Sequence, residues 1–287
     1  MSLTQHISSL GPARPDMHVG SPQVTTLLRA RAPIMVSPGM AASCREAGAR
    51  TGPSTRHALT AGILDVDGVL LASPHERAWR EALAGFAEPA RFTTAIYQAR
   101  VAGRPRLDGA YAALAALGVP NAERQAELYS ERKQARLEKL IKAGCVTAYP
   151  DALRFLRAIR ALGWKVAAAS SSKNANPMMH LVHFDLDHML LDAFDANVCG
   201  RDLARGKPAP DIFLLAAFEL ATEPAHCFVV EDAPAGIEAA RAAGMTAIGV
   251  ARHDDAAGLW AAGADLVVTS LDDIAVGKLA EGMLCLN

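Results

Sequence analysis

Ala61-Gly62-Ile63-Leu64-Asp65-Val66-Asp67-Gly68-Val69-Leu70 is an apolar run that ends in two aspartates one residue apart, with a glycine turn behind them. Strand residues i and i+2 share a face, so the run predicts two carboxylates converging at a strand's carboxyl end. In open α/β sheets that end is where ligands bind. Carboxylates held together out of water repel, so such a pair takes a cation or divides its roles between nucleophile and acid/base. Alone, the pair also reads as an Asp-rich turn.

Three later stretches add to it. Trp164-Lys165-Val166-Ala167-Ala168-Ala169 reads as a strand running into Ser170-Ser171-Ser172-Lys173-Asn174. Hydroxyls and free N–H groups at a helix start near Asn174 suit a phosphate, or cap a helix. Gly206-Lys207-Pro208-Ala209-Pro210-Asp211 places a lysine on a proline-stiffened loop before a helix. Cys227-Phe228-Val229-Val230 is another apolar strand, and it ends in Glu231-Asp232. Adjacent strand residues face opposite ways, so both acids reach one site only if the chain turns, as Pro234 and Gly236 suggest.

Asp65/Asp67, Ser170, Lys207 and Glu231/Asp232 in this order resemble the four signatures of the haloacid dehalogenase-like phosphoryl-transfer superfamily, over about Leu59 to Ile274. The segments around Ser170, Lys207 and Glu231 look like its β-phosphoglucomutase branch. So do His75-Glu76-Arg77-Ala78-Trp79 at the start of a cap, and Gly103-Arg104-Pro105-Arg106 as a cap loop. Two departures fall in the cap hinge. The stretch from Asp67 to Trp79 is about two residues shorter than in the mutases, and Ala72 stands where the family often has aspartate.

The resemblance implies an α/β fold: a Rossmann-like, doubly wound parallel sheet with a helical cap domain inserted after the first strand. Residues 1–57 would be a flexible N-terminal extension, 58–74 and 147–277 the core, and 75–146 the cap. It implies Asp65 as nucleophile and Asp67 as acid/base, with Mg²⁺ held by Asp65, Asp67 through its backbone carbonyl, Glu231 and Asp232. Ser170 and Lys207 would hold the transferring phosphate. Ser171, Ser172 and Asn174 would face the substrate, Gly103, Arg104 and Arg106 a distal phosphate, and His75 the acid/base. The expected substrate is a small phosphorylated metabolite, a sugar phosphate. The expected activity is that of a mutase; a phosphatase is the close alternative and a non-catalytic binding protein the remote one.

The rest of the chain is consistent with these expectations. Alternating strand and helix patterns from Asp151 to Val268 imply a parallel sheet with helices on both faces. Between Pro74 and Ala148 the pattern is helical, including a long amphipathic stretch, Ala122–Ala143. A net charge of −1 gives no pull toward nucleic acid or an anionic membrane. Five cysteines without a Cys-x-x-Cys pair argue against zinc and for a reducing, cytoplasmic setting. No apolar run approaches the ~18 residues of a spanning helix. A monomer or weak dimer is expected.

Overall fold

The structure, a computed structural model, describes residues 58–287 and the backbone of Arg45–Glu46. The extension expected over 1–57 lies outside the described residues apart from that two-residue strand. Along the chain β1 is Arg45–Glu46, β2 Ala61–Leu64 and β3 Leu71–Ala72. Four helical elements follow: α1 (His75–Ala82), α2 (Thr94–Ile96, continued by a π-helical turn over Tyr97–Val101), α3 (Arg106–Ala116) and α4 (Ala122–Lys142). Then come β4 (Thr147–Ala148), α5 (Pro150–Ala161), β5 (Lys165–Ala168), α6 (Ala175–Met179) and β6 (Ala196–Asn197). The last part holds α7 (Asp211–Glu219), β7 (Cys227–Glu231), α8 (Pro234–Ala242), β8 (Thr246–Val250), α9 (Ala256–Ala261), β9 (Leu266–Val268), α10 (Val276–Ala280) and β10 (Met283–Leu284).

Six strands form one parallel sheet in the order β6-β5-β2-β7-β8-β9. All four residues of β2 are buried, as a strand covered on both faces requires. Two apolar clusters lie on the sheet. One gathers Leu64, Phe155, Leu156, Val230 and Ile248, and the other Ile63, Phe213, Val229, Ile237 and Leu259. Gly62 is small for a reason: a Cβ there would lie 2.6 Å from the Phe228 ring. Phe228 fills that space, with Phe155 edge-on at 6.0 Å and Trp164 at 6.1 Å.

The helices α1, α3 and α4 have a separate apolar cluster around Trp79, Leu83, Phe92, Leu114 and Tyr129. Tyr129 sets its ring 5.1 Å from Trp79 and donates its hydroxyl to the Trp79 carbonyl at 2.8 Å, so its one polar atom is satisfied inside the cluster. This helical unit joins the sheet through two short strands, β3 and β4, which pair antiparallel with each other. The pattern of the sequence did not announce these linkers, nor the pairing of β1 with β10, because two-residue strands show no periodicity.

Cys285 is disulfide-bonded. Cys145, Cys199 and Cys227 are free. Among the described residues no helix is long and apolar enough to cross a membrane.

Phe228→Ala should lower the unfolding free energy by about 3–5 kcal/mol, the cost of emptying a large aromatic site in a closed core. Urea titration of both proteins measures it. A loss below about 1 kcal/mol would mean that the sheet does not depend on this ring.

Candidate active site

The register of three strands builds the site. Leu64 pairs with Ala168 on one side and Val230 on the other, so β2, β5 and β7 end level. The Asp65 N–H donates to the Val230 carbonyl at 3.0 Å, and the Ala169 N–H to the Leu64 carbonyl at 2.9 Å. Asp65, Ser170, Glu231 and Asp232 therefore emerge at one edge. The chain runs from β2 to β5 and β6 on one side, then crosses to β7 on the other. This switch in direction opens a crevice beside β2.

Lys207, carried on the loop before α7, reaches into the crevice and is 2% exposed. It donates to Asp65 at 2.6 Å and to Glu231 at 2.5 Å. The other Glu231 oxygen accepts from the backbone N–H groups of Asp232 and Ala233, at 3.2 and 3.4 Å. These contacts come from the turn that follows β7. Asp65, Glu231 and Asp232 each place an oxygen within 4.8 Å of the others, and all three are buried. Two glycines leave room for them. A Cβ on Gly68, whose φ is +83°, would sit 1.9 Å from an Asp232 oxygen, and one on Gly236 would sit 2.0 Å from the Glu231 carboxyl carbon.

Burial raises the pKa of all three acids. For Asp65 and Glu231 the Lys207 ammonium opposes the rise. Asp232 is pushed well up, by burial and by repulsion from Glu231 and Asp65. Burial works against the charge of Lys207, but Asp65 and Glu231 outweigh it and its pKa rises. One ammonium thus faces three buried carboxyl groups. An all-oxygen donor set with this deficit of positive charge fits a hard divalent cation.

Asp67 is the second acid of the pair. One of its oxygens accepts from the Ser170 hydroxyl at 3.3 Å. The other, Oδ1, is buried without a hydrogen-bond partner. His75 Nε2 stands 3.5 Å from it. Behind the imidazole, Lys133 Nζ lies 2.9 Å from His75 Nδ1 and 4.9 Å from the Trp79 ring centroid. Burial and Lys133 hold the His75 pKa well below its usual value. With Lys133 as donor, Nδ1 accepts and the imidazole proton lies on Nε2, facing Asp67. Burial also raises the Asp67 pKa, opposed by Ser73, Lys133 and Ser170. A carboxyl whose pKa is raised by burial, with one oxygen lacking a hydrogen-bond partner, is suited to proton transfer.

These groups lie at the base of a cavity of about 440 Å³ between the helical unit and the sheet edge. Every residue singled out in the sequence lines it except Glu231, which is fully buried behind. The cavity is closed over by direct contacts. Ser171 donates to the Gly103 carbonyl at 3.1 Å, and Gln134 and Asn174 exchange two amide hydrogen bonds at 3.0 and 3.1 Å. Pro105 lies so close to Gly206 that a Cβ there would be 2.1 Å away. The shortened hinge and Ala72 are therefore compatible with closure. Ser172 approaches His75 Nε2 at 3.4 Å. Arg104 is half-buried and Arg106 exposed, and both line the cavity.

Lys133, Ser73, Gln134 and Tyr97 escaped the reading of the sequence. For Lys133 a signal existed. It falls on the buried stripe Ala126, Tyr129, Ser130, Lys133, Leu137 and Leu140 of α4, where a charge needs a reason. Tyr97 opens the π-helical turn and lines the cavity, and no pattern marks such a turn.

The sequence profile of the haloacid dehalogenase-like hydrolase family matches residues 60–244. The β-phosphoglucomutase of Mycobacterium bovis is 32% identical over 237 residues, covering 74% of this chain and 90% of that protein. The phosphorylated carbohydrates phosphatase of Thermotoga maritima is 29% identical over 215 residues, covering 73% of this chain and 94% of that one. Among solved structures, a β-phosphoglucomutase from a hyper-thermophilic Pyrococcus aligns with a TM-score of 0.59 at 31% identity, over 77% of this chain and 97% of its own.

Burial lowers the Lys133 pKa from 10.5 to about 7, against the pull of Asp67. Between those values the unfolded chain holds a proton that the folded one does not, so this group makes stability rise with pH across the window and leaves it flat below. Lys133→Met removes the contribution. The stability of wild type relative to the variant should increase from pH 7 to pH 10, as read by urea unfolding at both ends. A difference that is constant or falls with pH would mean that Lys133 keeps its charge in the fold.

Proposed function

From the premise that the chain belongs to the haloacid dehalogenase-like hydrolase family, we propose that it transfers a phosphoryl group on a small sugar phosphate, in the manner of a β-phosphoglucomutase. The observation that carries the reading is the pairing of two aspartates with different partners. Asp65 accepts from the buried Lys207 ammonium, and Asp67 presents an oxygen without a hydrogen-bond partner to the same cavity.

The roles follow from these environments. Asp65 attacks phosphorus and forms an acyl phosphate as the bond from phosphorus to the leaving oxygen breaks. Asp67 gives its proton to that leaving oxygen. In the second half Asp67 takes the proton of the incoming hydroxyl, whose oxygen attacks phosphorus and releases the Asp65 carboxylate. Lys207 and Ser170 steady the transferring phosphate, and Lys207 offsets its charge. His75, backed by Lys133, orients Asp67. Asp65, Asp232 and the Asp67 carbonyl, with Glu231 beside them, would hold Mg²⁺, which when bound would supply charge neutralisation to the transfer.

The incoming hydroxyl separates the two activities. In a mutase it belongs to the sugar, and in a phosphatase to water. The contacts of Ser171, Gln134 and Pro105 between cap and core support the mutase, since a cap drawn onto the strand ends favours capture by a bound hydroxyl over bulk water. Arg104 and Arg106 support it too. Neither forms an ion pair among the described residues, so both guanidinium groups are available for a phosphate far from Asp65. The phosphatase reading rests on the Thermotoga relative. A binding protein has no use for a nucleophile set against a lysine and an acid/base.

Asp65→Asn keeps the shape of the side chain and removes the nucleophile. Turnover of β-glucose 1-phosphate with bisphosphate and Mg²⁺ should fall by several orders of magnitude, and chelation should silence the wild type until Mg²⁺ is returned. Near-normal turnover by the variant, or full activity in chelator, would refute the assignment.

Arg106→Ala tests the substrate class. Binding of a bisphosphate should weaken by about 1.5–3 kcal/mol, or roughly ten- to a hundredfold, while hydrolysis of a small monophosphate changes far less. Equal effects on both substrates would favour the phosphatase.

A further inference from the structure

Arg252 follows β8, and none of the roles above uses it. Its side chain is 8% exposed. Nη1 donates to Asp151 at 2.7 Å, Nε to the Gly68 carbonyl at 3.2 Å and Nη2 to the Val69 carbonyl at 3.1 Å. The guanidinium also lies 4.0 Å from the centroid of the Tyr149 ring. None of these four partners belongs to a strand of the six-stranded sheet. Gly68 and Val69 begin the linker that leaves the core for the cap through β3. Tyr149 and Asp151 end the linker that returns through β4. The two linkers also touch each other there, where the Tyr149 N–H donates to the Leu70 carbonyl at 2.9 Å.

We propose that Arg252 is a positioning residue: it staples both cap linkers to the core at their roots and so fixes the pivot on which the cap closes. A guanidinium is suited to this, because its rigid fork of five donors reaches a carboxylate and two carbonyls at once and its face stacks on an aromatic ring. Lysine retains the charge for Asp151 but spans neither carbonyl pair nor ring. Asp151 does not depend on the staple, since it also accepts from the Leu271 N–H at 2.8 Å and the Ser270 hydroxyl at 3.2 Å. The same contacts hold the turn at Gly68, the residue that lies against Asp232. For turnover the consequence rests on the phosphoryl-transfer reading. A loosened pivot populates the open cap, and water then competes with the sugar hydroxyl for the phosphoryl group.

The test compares full-length wild type with Arg252→Met, Arg252→Lys and Tyr149→Leu. Amide hydrogen exchange at Leu71 and Tyr149 is read against Val229 and Val230 in the core strand β7. In Arg252→Met the linker amides should exchange faster by about tenfold or more while the β7 amides keep their rates, with Arg252→Lys intermediate. With a sugar phosphate and Mg²⁺, the share of phosphoryl groups released as inorganic phosphate should rise in the same order. Linker rates that do not change overturn the proposal. Linker and β7 rates that rise together also overturn it, because they mark a general structural role. If Arg252→Met does not fold, Arg252→Lys and Tyr149→Leu give the same two outcomes. If wild type turns over no phosphate ester, the proposed function falls and the exchange rates alone decide the role of Arg252.

Discussion

Three carboxyl groups buried around a single ammonium are the constraint on which the rest of this molecule depends. Asp65, Glu231 and Asp232 stand within 4.8 Å of one another, and Lys207 contacts only the first two. Removing ionised groups from water costs several kcal/mol each unless opposite charge and hydrogen bonds compensate. Lys207 and the two N–H donors on Glu231 compensate in part. Asp232 is left with repulsion on two sides. A chain that keeps such a cluster is built to receive positive charge, and the six-stranded sheet is the frame that holds the acids close enough to need it. Gly68 and Gly236 are where the backbone gives way so that the carboxylates fit.

The helical unit contributes a second electrostatic device. Lys133 and His75 form a short relay that ends at Asp67. The sheet edge therefore carries Asp65 against its lysine, and the helical unit carries His75 and Lys133 beside Asp67. Neither half is complete alone. This division couples chemistry to closure, because Asp67 meets its full set of neighbours only when α1 and α4 lie over the strand ends. Contacts of Ser171 with Gly103 and of Gln134 with Asn174 hold that arrangement, and Arg252 anchors its pivot.

Much of this was legible in the sequence because the site is written at strand ends. Asp65, Ser170 and Glu231 were placed by the simple rule that apolar runs end at the sheet's carboxyl edge. Lys207 was legible from its prolines. The cap was harder. Its helices follow from periodicity, but the residues that matter there depend on which face meets the sheet, and a single chain gives no such register. Lys133 was passed over as one charge among many on an amphipathic helix; only its place on the buried stripe of α4 separates it from its neighbours. Gln134 and Arg252 act through partners far along the chain, and long-range contacts leave no local pattern.

The claim that ties these observations together is that Asp65 carries the phosphoryl group. The direct measurement is peptide mapping by tandem mass spectrometry after a brief reaction with a sugar phosphate and Mg²⁺, stopped in acid to preserve an acyl phosphate. The account predicts one added phosphoryl group on the peptide from β2 and its following turn, located on Asp65. Phosphate on any other residue, or steady turnover with no phosphorylated peptide at any reaction time, would contradict it.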